Sequence, residues 1–323
     1  MATMKTLNGY GFNATEFNGK TSDSYLQKTD TASDTSKLGG KAPEYYLQPR
    51  NLLDNSDFTN PVNQRERTSY TAYGYTIDRW KNSHSFQVSV NAGSITVAGA
   101  KSYHHFMQAI EKYSFLVGKT VTLAIRCKGA SGGTAGLAMI DSSGTVYGNT
   151  QHTLTGGWQT IVETVTIPGE ISTTSLWFSV YTASALDMEW AALYEGFYTA
   201  DTLPPYVPKG YAAELAECQR YYYRMNLKSA PCLGSGWAYK TNNRIPITLP
   251  MTMRITPTVQ MDVVSNFQII YNNATYNATD INIQNCTFNH LTLNVVADTG
   301  IPDWDIVSSR IKDTAIIEFL ADL

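Results

Sequence analysis

The segment GSGWAYK sets Trp237 and Tyr239 on either side of Ala238, and on an extended chain residues two apart project from one face. Two aromatic rings side by side can stack on the apolar C–H face of a sugar, while neighbouring amides and carboxylates take its hydroxyls. The same mixture recurs in YNNATYN, with Tyr271 and Tyr276, and in IPDWDI, with Asp303, Trp304 and Asp305. These residues form the candidate glycan-binding set. Burial in a core is the competing account for Trp237 and Trp304, because large aromatics are mostly buried.

Catalysis has weaker support. Glycoside hydrolysis needs two carboxylates about 5–10 Å apart on a sugar-binding face. Asp298, Asp303, Asp305 and Asp313 are available, but Asp303 and Asp305 read as a solvated turn. The pair His104–His105 and the single His84, His152 and His290 fall in no nucleophile-elbow or zincin pattern. The Gly-rich stretch GASGGTAG, residues 129–136, lacks the Lys-Ser/Thr ending of a phosphate-binding loop. We therefore expect no catalytic residue, no cofactor and a non-enzymatic chain. Asp54 and Asp57 with Asp187 and Glu195 have the oxygen chemistry of a structural calcium site, but their spacing is not diagnostic and no metal ligand is assigned. Cys127, Cys218, Cys232 and Cys286 lie far apart without metal-ligand spacing and read as scattered buried thiols.

The composition narrows the partners. Only 16% of the 323 residues are charged, and the net charge of −3 has no basic block behind it. Nothing supplies the phosphate-neutralising term that nucleic-acid binding requires, so no nucleic acid is expected. No apolar run approaches the ~18 residues of a membrane span, and MATMKTLNGYGFN lacks the apolar centre of a signal peptide. The expectation is no membrane insertion and assembly in a cytoplasm. The sequons at Asn13, Asn273, Asn277 and Asn285 then read as Asn-Thr turns.

The elements that must hold these residues are mostly strands. FQVSVNAGSITVAG reads as two strands turning at Asn91–Gly93, KTVTLAIRCKG as a half-buried strand with Val121, Leu123, Ile125 and Cys127 on one face, and AGLAMIDSSGTVYG as a hairpin around Ser142–Gly144. WQTIVETVTIP and SLWFSVYTA follow, at the spacing of a β-sandwich. Trp80, Trp158, Trp177 and Trp190 are expected in its core. Three prolines in TADTLPPYVPKG mark a linker, and YAAELAECQRYYYRM, residues 211–225, is the one predicted helix. Consecutive helical residues point in different directions, so one tyrosine of the 221–223 run would face away from its domain and be covered by packing of three helices. The fold class is all-β: a segment 1–50, a jelly-roll sandwich 51–200, a linker and helix 201–226, and a β head domain 227–323.

Residues 17–48 contain one pattern twice. Gly19, Lys20, Tyr25, Leu26 and Gln27 match Gly40, Lys41, Tyr46, Leu47 and Gln48 at one offset of 21 residues. Repeat units that cannot bury an apolar face alone need neighbours, and two copies are fewer than the usual three. Other chains are the expected source of the rest, and a disordered polar arm with chance similarity, rich in Ser, Thr, Asp, Lys and Gly, is the competing account.

LGGKAPEYYLQ, NLLDNSDF with DRW downstream, ELAECQRYYYR after the Pro-rich stretch, LPMTMRITPTV and IEFLADL occur in that order. In this order the chain resembles a bacteriophage or prophage tail fibre, a receptor-binding protein of Gram-positive hosts with a jelly roll like that of carbohydrate-binding modules. The resemblance implies an N-terminal part joined to a phage tail or baseplate protein, a homotrimer, and a location in the virion. It implies recognition of a host cell-surface polysaccharide or teichoic acid. A polysaccharide-cleaving tailspike and a structural fibre section without a binding tip are the alternatives.

Overall fold

The alternation in KTVTLAIRCKG becomes a ten-residue strand, Thr120–Gly129, whose Val121, Leu123, Ile125 and Cys127 all reach the core. The computed structural model describes residues 49–98, 103–228, 233–239, 241–261, 264–297 and 305–322, with the backbone of 16–17 and 20–21. The chain divides into two units, residues 1–50 and 51–323. In the first, β1 (Glu16–Phe17) pairs antiparallel with β2 (Lys20–Thr21). The rest of the repeated Gly-Lys...Tyr-Leu-Gln pattern lies outside the described residues.

The second unit begins with a sandwich. Its strands are β3 (Ser69–Tyr70), β4 (Gly74–Tyr75), β5 (Lys81–Asn82), β6 (Gln87–Asn91), β7 (Ser94–Ala98), β8 (His105–Ala109), β9 (Thr120–Gly129), β10 (Thr134–Asp141), β11 (Val146–Tyr147), β12 (Gln151–Thr153), β13 (Gln159–Thr166), β14 (Leu176–Thr182) and β15 (Ala185–Glu195). One sheet runs β11-β10-β14-β8-β5-β4, with β12 also on β10, and the other runs β13-β9-β15-β7-β6-β3. Gly93 and Gly144 take φ of 83° and 85° at the two predicted turns, a conformation that glycine adopts without a Cβ clash. Between the sheets Trp80 is fully buried, stacked on Phe106 at 4.7 Å and edge-on to Phe58 and Phe178. Its indole N–H donates to the Asn55 carbonyl at 2.8 Å.

The other three tryptophans are not core residues. Leu176 and Phe178 point inward, so the pleat of β14 turns Trp177 outward, where it is half-buried. Trp190 follows a register shift in β15 and stacks on Tyr206 at 4.8 Å, outside the second sheet. Trp158, just before β13, is 37% exposed. The Pro-rich stretch is strapped down as well: Tyr198, Leu203 and Tyr206 cover Ala124, Ala192 and Tyr194 on the outer face of the second sheet. For that reason Thr122 and Ala124 are buried too, and β9 is covered on both faces where one was expected.

The helix is shorter than the sequence suggests. α1 (Tyr211–Gln219) buries Glu214 and Cys218, one turn apart, and β16 (Tyr222–Lys228) starts three residues later. Tyrosine fits a pleated strand well, and Tyr222 pairs with Leu320 across β16 and β24 (Thr314–Leu320). Tyr221 and Tyr222 are 1% exposed, and half-buried Tyr223 stacks on Phe319. The predicted outward-facing helical tyrosine is absent from this run, and with it the reason to invoke three packed helices.

The remaining strands are β17 (Gly234–Tyr239), β18 (Asn242–Thr248), β19 (Thr258–Met261), β20 (Phe267–Tyr271), β21 (Ala274–Gln284), β22 (His290–Ala297) and β23 (Ile306–Ile311). β17-β18-β22-β21-β20-β23 close into a barrel, and β16-β24-β19 form a three-stranded sheet. Ala238, Ile245, Phe267, Ile269, Leu293 and Val307 fill the barrel. Closure leaves these six strands without a free edge.

Candidate functional site

Ala238 is 1% exposed and faces the barrel core, so the alternation of β17 sends Trp237 and Tyr239 outward, and Trp237 remains 43% exposed. Strand register carries one row across the outside of the barrel: Asn282 opposite Asn294, Asn294 opposite Arg244, Arg244 opposite Trp237, and Trp237 opposite Ile306. A second row sets Asp280 opposite Val296, Val296 opposite Asn242, and Asn242 opposite Tyr239. The Arg244 guanidinium lies 5.6 Å from the Tyr239 ring centroid. Asn294 Nδ2 donates to Asn242 Oδ1 at 2.8 Å and to Asn282 Oδ1 at 3.1 Å. Gly236 lets β17 lie against β18, because a Cβ there would meet the Arg244 carbonyl oxygen at 1.9 Å.

The other candidates lie at the same end of the barrel but on a different face. Tyr271 and Tyr276 pack against the barrel core, and Tyr276 is the register partner of buried Ile269. The Tyr271 hydroxyl donates to Asp305 Oδ2 at 2.6 Å, and that hydrogen bond raises its pKa. The Asp305 carbonyl accepts from the Ala238 N–H at 2.8 Å. The set therefore splits into an outer pair, Trp237 and Tyr239, and a rim pair, Tyr271 and Asp305, joined through Ala238. Asp303 and Trp304 lie outside the described residues.

The four residues considered for calcium are not brought together. Asp187 Oδ1 accepts from Thr96 Oγ1, Glu195 pairs with Lys119 at 2.7 Å, and Asp57 accepts from Thr59. Asp54 instead meets Glu214 and Glu217, with oxygens within 4.8 Å of one another. Lys209 Nζ stands among them, 3.2 Å from Asp54 and 3.8 Å from Glu214, and bonds Glu217 as well. Burial works to raise the Asp54 pKa, but the Arg79 and Lys209 charges overcome it and hold the carboxyl below its ordinary value. Burial pushes the Cys127 thiol up to about 12, which leaves it unreactive, and Cys218 is raised for the same reason. Cys286 is half-buried, and Cys232 lies outside the described residues.

A second aromatic surface escaped the sequence reading. On the outer face of the first sheet, Lys81 Nζ lies 4.8 Å from the Tyr73 centroid, 5.8 Å from Tyr75 and 5.3 Å from Trp177, and Tyr73 is 62% exposed. Beside them the Tyr181 ring lies flat over Gly136, where a Cβ would come within 2.0 Å of it. His105 Nδ1 and Ser179 Oγ are 2.8 Å apart on this face, and burial, with His84 and His104 adding to it, lowers the His105 pKa to about 4. The available signal was LWFSVYT: with Leu176 and Phe178 inward, Trp177 must point out.

The described strands and helix make a mostly β protein with two sandwich sheets, a three-stranded sheet and a closed barrel. No described helix is long and apolar enough to cross a membrane. The chain is similar to a solved structure described as CBM4, at 21% identity over 44% of this chain and 99% of that one, with a TM-score of 0.33. It is similar to the CBM22-1 xylan-binding domain of Paenibacillus barcinonensis Xyn10C at 14% identity, 47% and 97% coverage and a TM-score of 0.33. The tandem CBM22-1–CBM22-2 structure from that protein covers 85% of this chain and 96% of its own, at 12% identity and a TM-score of 0.34. At these identities and scores nothing about a ligand or a particular residue is carried over. No protein-family model matches the chain. No curated protein matches it.

Proposed function

We propose that this chain is a non-enzymatic receptor-binding protein of a phage tail, and that it grips a bacterial surface glycan through the outer face of its C-terminal barrel. The observation that carries the reading is the half-exposed Trp237 beside Tyr239 and a row of amides. A flat ring open to solvent offers a stacking platform, and Asn242 and Asn282 bring the hydrogen-bonding groups that sugar hydroxyls need. The phage setting rests on the ordered motifs from LGGKAPEYYLQ to IEFLADL. In that setting the N-terminal segment attaches to a tail or baseplate protein, and the chain works as a homotrimer in the virion. Three copies raise avidity, so a shallow single site is sufficient.

A glycan array probed with the full chain tests the reading. Binding that falls on Trp237→Ala while the fold is kept supports it. Retained binding in that variant moves the site to the second surface, which Lys81, Tyr73 and Trp177 favour because the opposite sheet is covered by Tyr198, Leu203 and Tyr206. Release of new reducing ends from wall polysaccharide would instead establish the polysaccharide-cleaving alternative. No binding to any host glycan would leave the chain as a structural fibre section.

A further inference from the structure

Arg244 stands on the outer face of the barrel. It is half-buried, it occupies the centre of the outer row between Asn294 and Trp237, and among the described residues no carboxylate lies within ion-pair distance of it. Its guanidinium lies 5.6 Å from the centroid of the Tyr239 ring. Two buried polar atoms on adjacent residues of this row are also unmatched: Arg244 Nε, a donor, and Asn294 Oδ1, an acceptor on a side chain 2% exposed. Arg65, Arg79, Arg126, Arg220 and Arg224 pair with carboxylates, while Arg254 donates to backbone carbonyls and Arg310 Nε to Gln268 Oε1, which leaves Arg244 Nε without the acceptor that those two have.

A guanidinium presents a fixed fork of N–H donors that suits a carboxylate or phosphate, and partial burial without a counter-charge is costly. An unmatched donor beside an unmatched acceptor suits a hydroxyl, which accepts from one and donates to the other. Both features stand next to the exposed Trp237 ring. We infer that the barrel face takes an acidic glycan, with the ring of one sugar on Trp237 and its carboxylate or phosphate group on Arg244. This rests on the reading of the barrel face as the glycan site and names the ligand's charge. Ile306, 80% exposed on the other side of Trp237, would extend the apolar half of the platform.

The test uses the full chain and three probes: a polyglycerol phosphate oligomer, an oligogalacturonate, and a neutral oligosaccharide of similar length. Binding is measured by calorimetry at about 20 mM and about 200 mM salt. The expected result is binding to one or both acidic probes, weakened by salt and weakened by about ten- to a hundredfold in Arg244→Gln. Arg244→Lys, which keeps the charge and loses the fork, should fall between. The phosphate and carboxylate arms identify which anion is taken. Melting curves of both variants are run alongside, and binding is compared at temperatures where each is folded. Equal affinity for the neutral probe, or binding unchanged in Arg244→Gln, overturns the inference while a loss in Trp237→Ala keeps the glycan site. If no probe binds, the acidic-ligand inference falls, and a negative array with host glycans then removes the wider reading.

Discussion

The Arg65 guanidinium lies 3.7 Å from the centroid of the Tyr222 ring, a cation from the sandwich resting on an aromatic from β16. The same group pairs with Asp78 at 3.1 Å and with Asp322, near the chain end, at 3.2 Å. Gln64 donates both to Asp78 and to the Tyr222 carbonyl. One arginine thus ties the sandwich to the C-terminal sheet through two buried acids. Arg65→Met leaves those acids without their cation, and breaking a buried pair in this way typically costs about 3–5 kcal/mol. Urea denaturation at neutral pH measures it, and a loss under about 1 kcal/mol would contradict the account.

The same junction predicts a pH dependence. Burial, opposed by Arg65 and Gln64, pushes the Asp78 pKa up from 3.8 to about 6, and burial raises Asp322 as well. A carboxyl with a higher pKa in the folded state favours folding in its protonated form. Its stabilising contribution is full below 3.8 and is lost as pH rises through about 6. The difference in stability between wild type and Asp78→Asn should therefore change by about 3 kcal/mol across that window. Parallel profiles for the two proteins would show that Asp78 titrates normally.

Much of this architecture was legible in periodicity, because one-sided burial writes itself as alternation. The turns at Gly93 and Gly144 and the inward face of β9 follow from it directly. Alternation failed where a second layer adds burial: nothing local to Thr122 and Ala124 shows that Tyr198 and Leu203 will cover them. At residues 221–223 helix and strand periods compete over a short run, and pairing of Tyr222 with Leu320, 98 positions away, decides between them. At the candidate site, the two-residue spacing of Trp237 and Tyr239 was visible. Arg244 and Asn294 were not, because they reach that face through barrel register.

Lys209 supplies the positive charge that a bound ion would otherwise bring to Asp54, Glu214 and Glu217. Treating the protein with a chelator should leave its melting temperature unchanged. Lys209→Met should lower the melting temperature, since three carboxylates within 4.8 Å then repel one another. Millimolar calcium should restore part of that loss, because clustered carboxylate oxygens are its preferred ligands. A chelator-sensitive wild type would show that the lysine does not neutralise this cluster.

Gly236 tests the barrel seam. A methyl group at this position would overlap the Arg244 carbonyl, a backbone atom that cannot rotate away. Gly236→Ala should therefore push β17 from β18 and destabilise the protein by about 1–3 kcal/mol. Because Trp237 and Arg244 face each other across that seam, glycan binding should drop with it. By contrast, Gly157→Ala, where the nearest outside atom is 4.0 Å from the new Cβ, should leave stability and binding near wild type. Equal stability of the two variants would mean the strands do not pair as closely as the register requires.

Trp80 and Trp237 separate structure from recognition within one residue type. Trp80 is fully enclosed by Phe58, Phe106 and Phe178 and hydrogen-bonded through its indole, so Trp80→Ala removes packing and leaves the Asn55 carbonyl without its donor. Replacing a core Trp with Ala usually costs about 3–5 kcal/mol, enough to lower the melting temperature by several degrees or more. Trp237 is 43% exposed and stands on the outside of a barrel whose core is filled by Ala238 and its neighbours. Its replacement should cost under about 1 kcal/mol of stability, while a lost stacking platform should weaken glycan binding by about 1–3 kcal/mol. Both variants should be melted and titrated side by side. If Trp237→Ala loses as much stability as Trp80→Ala, and binding falls only as the protein unfolds, then Trp237 holds the fold and the barrel face is not the recognition surface.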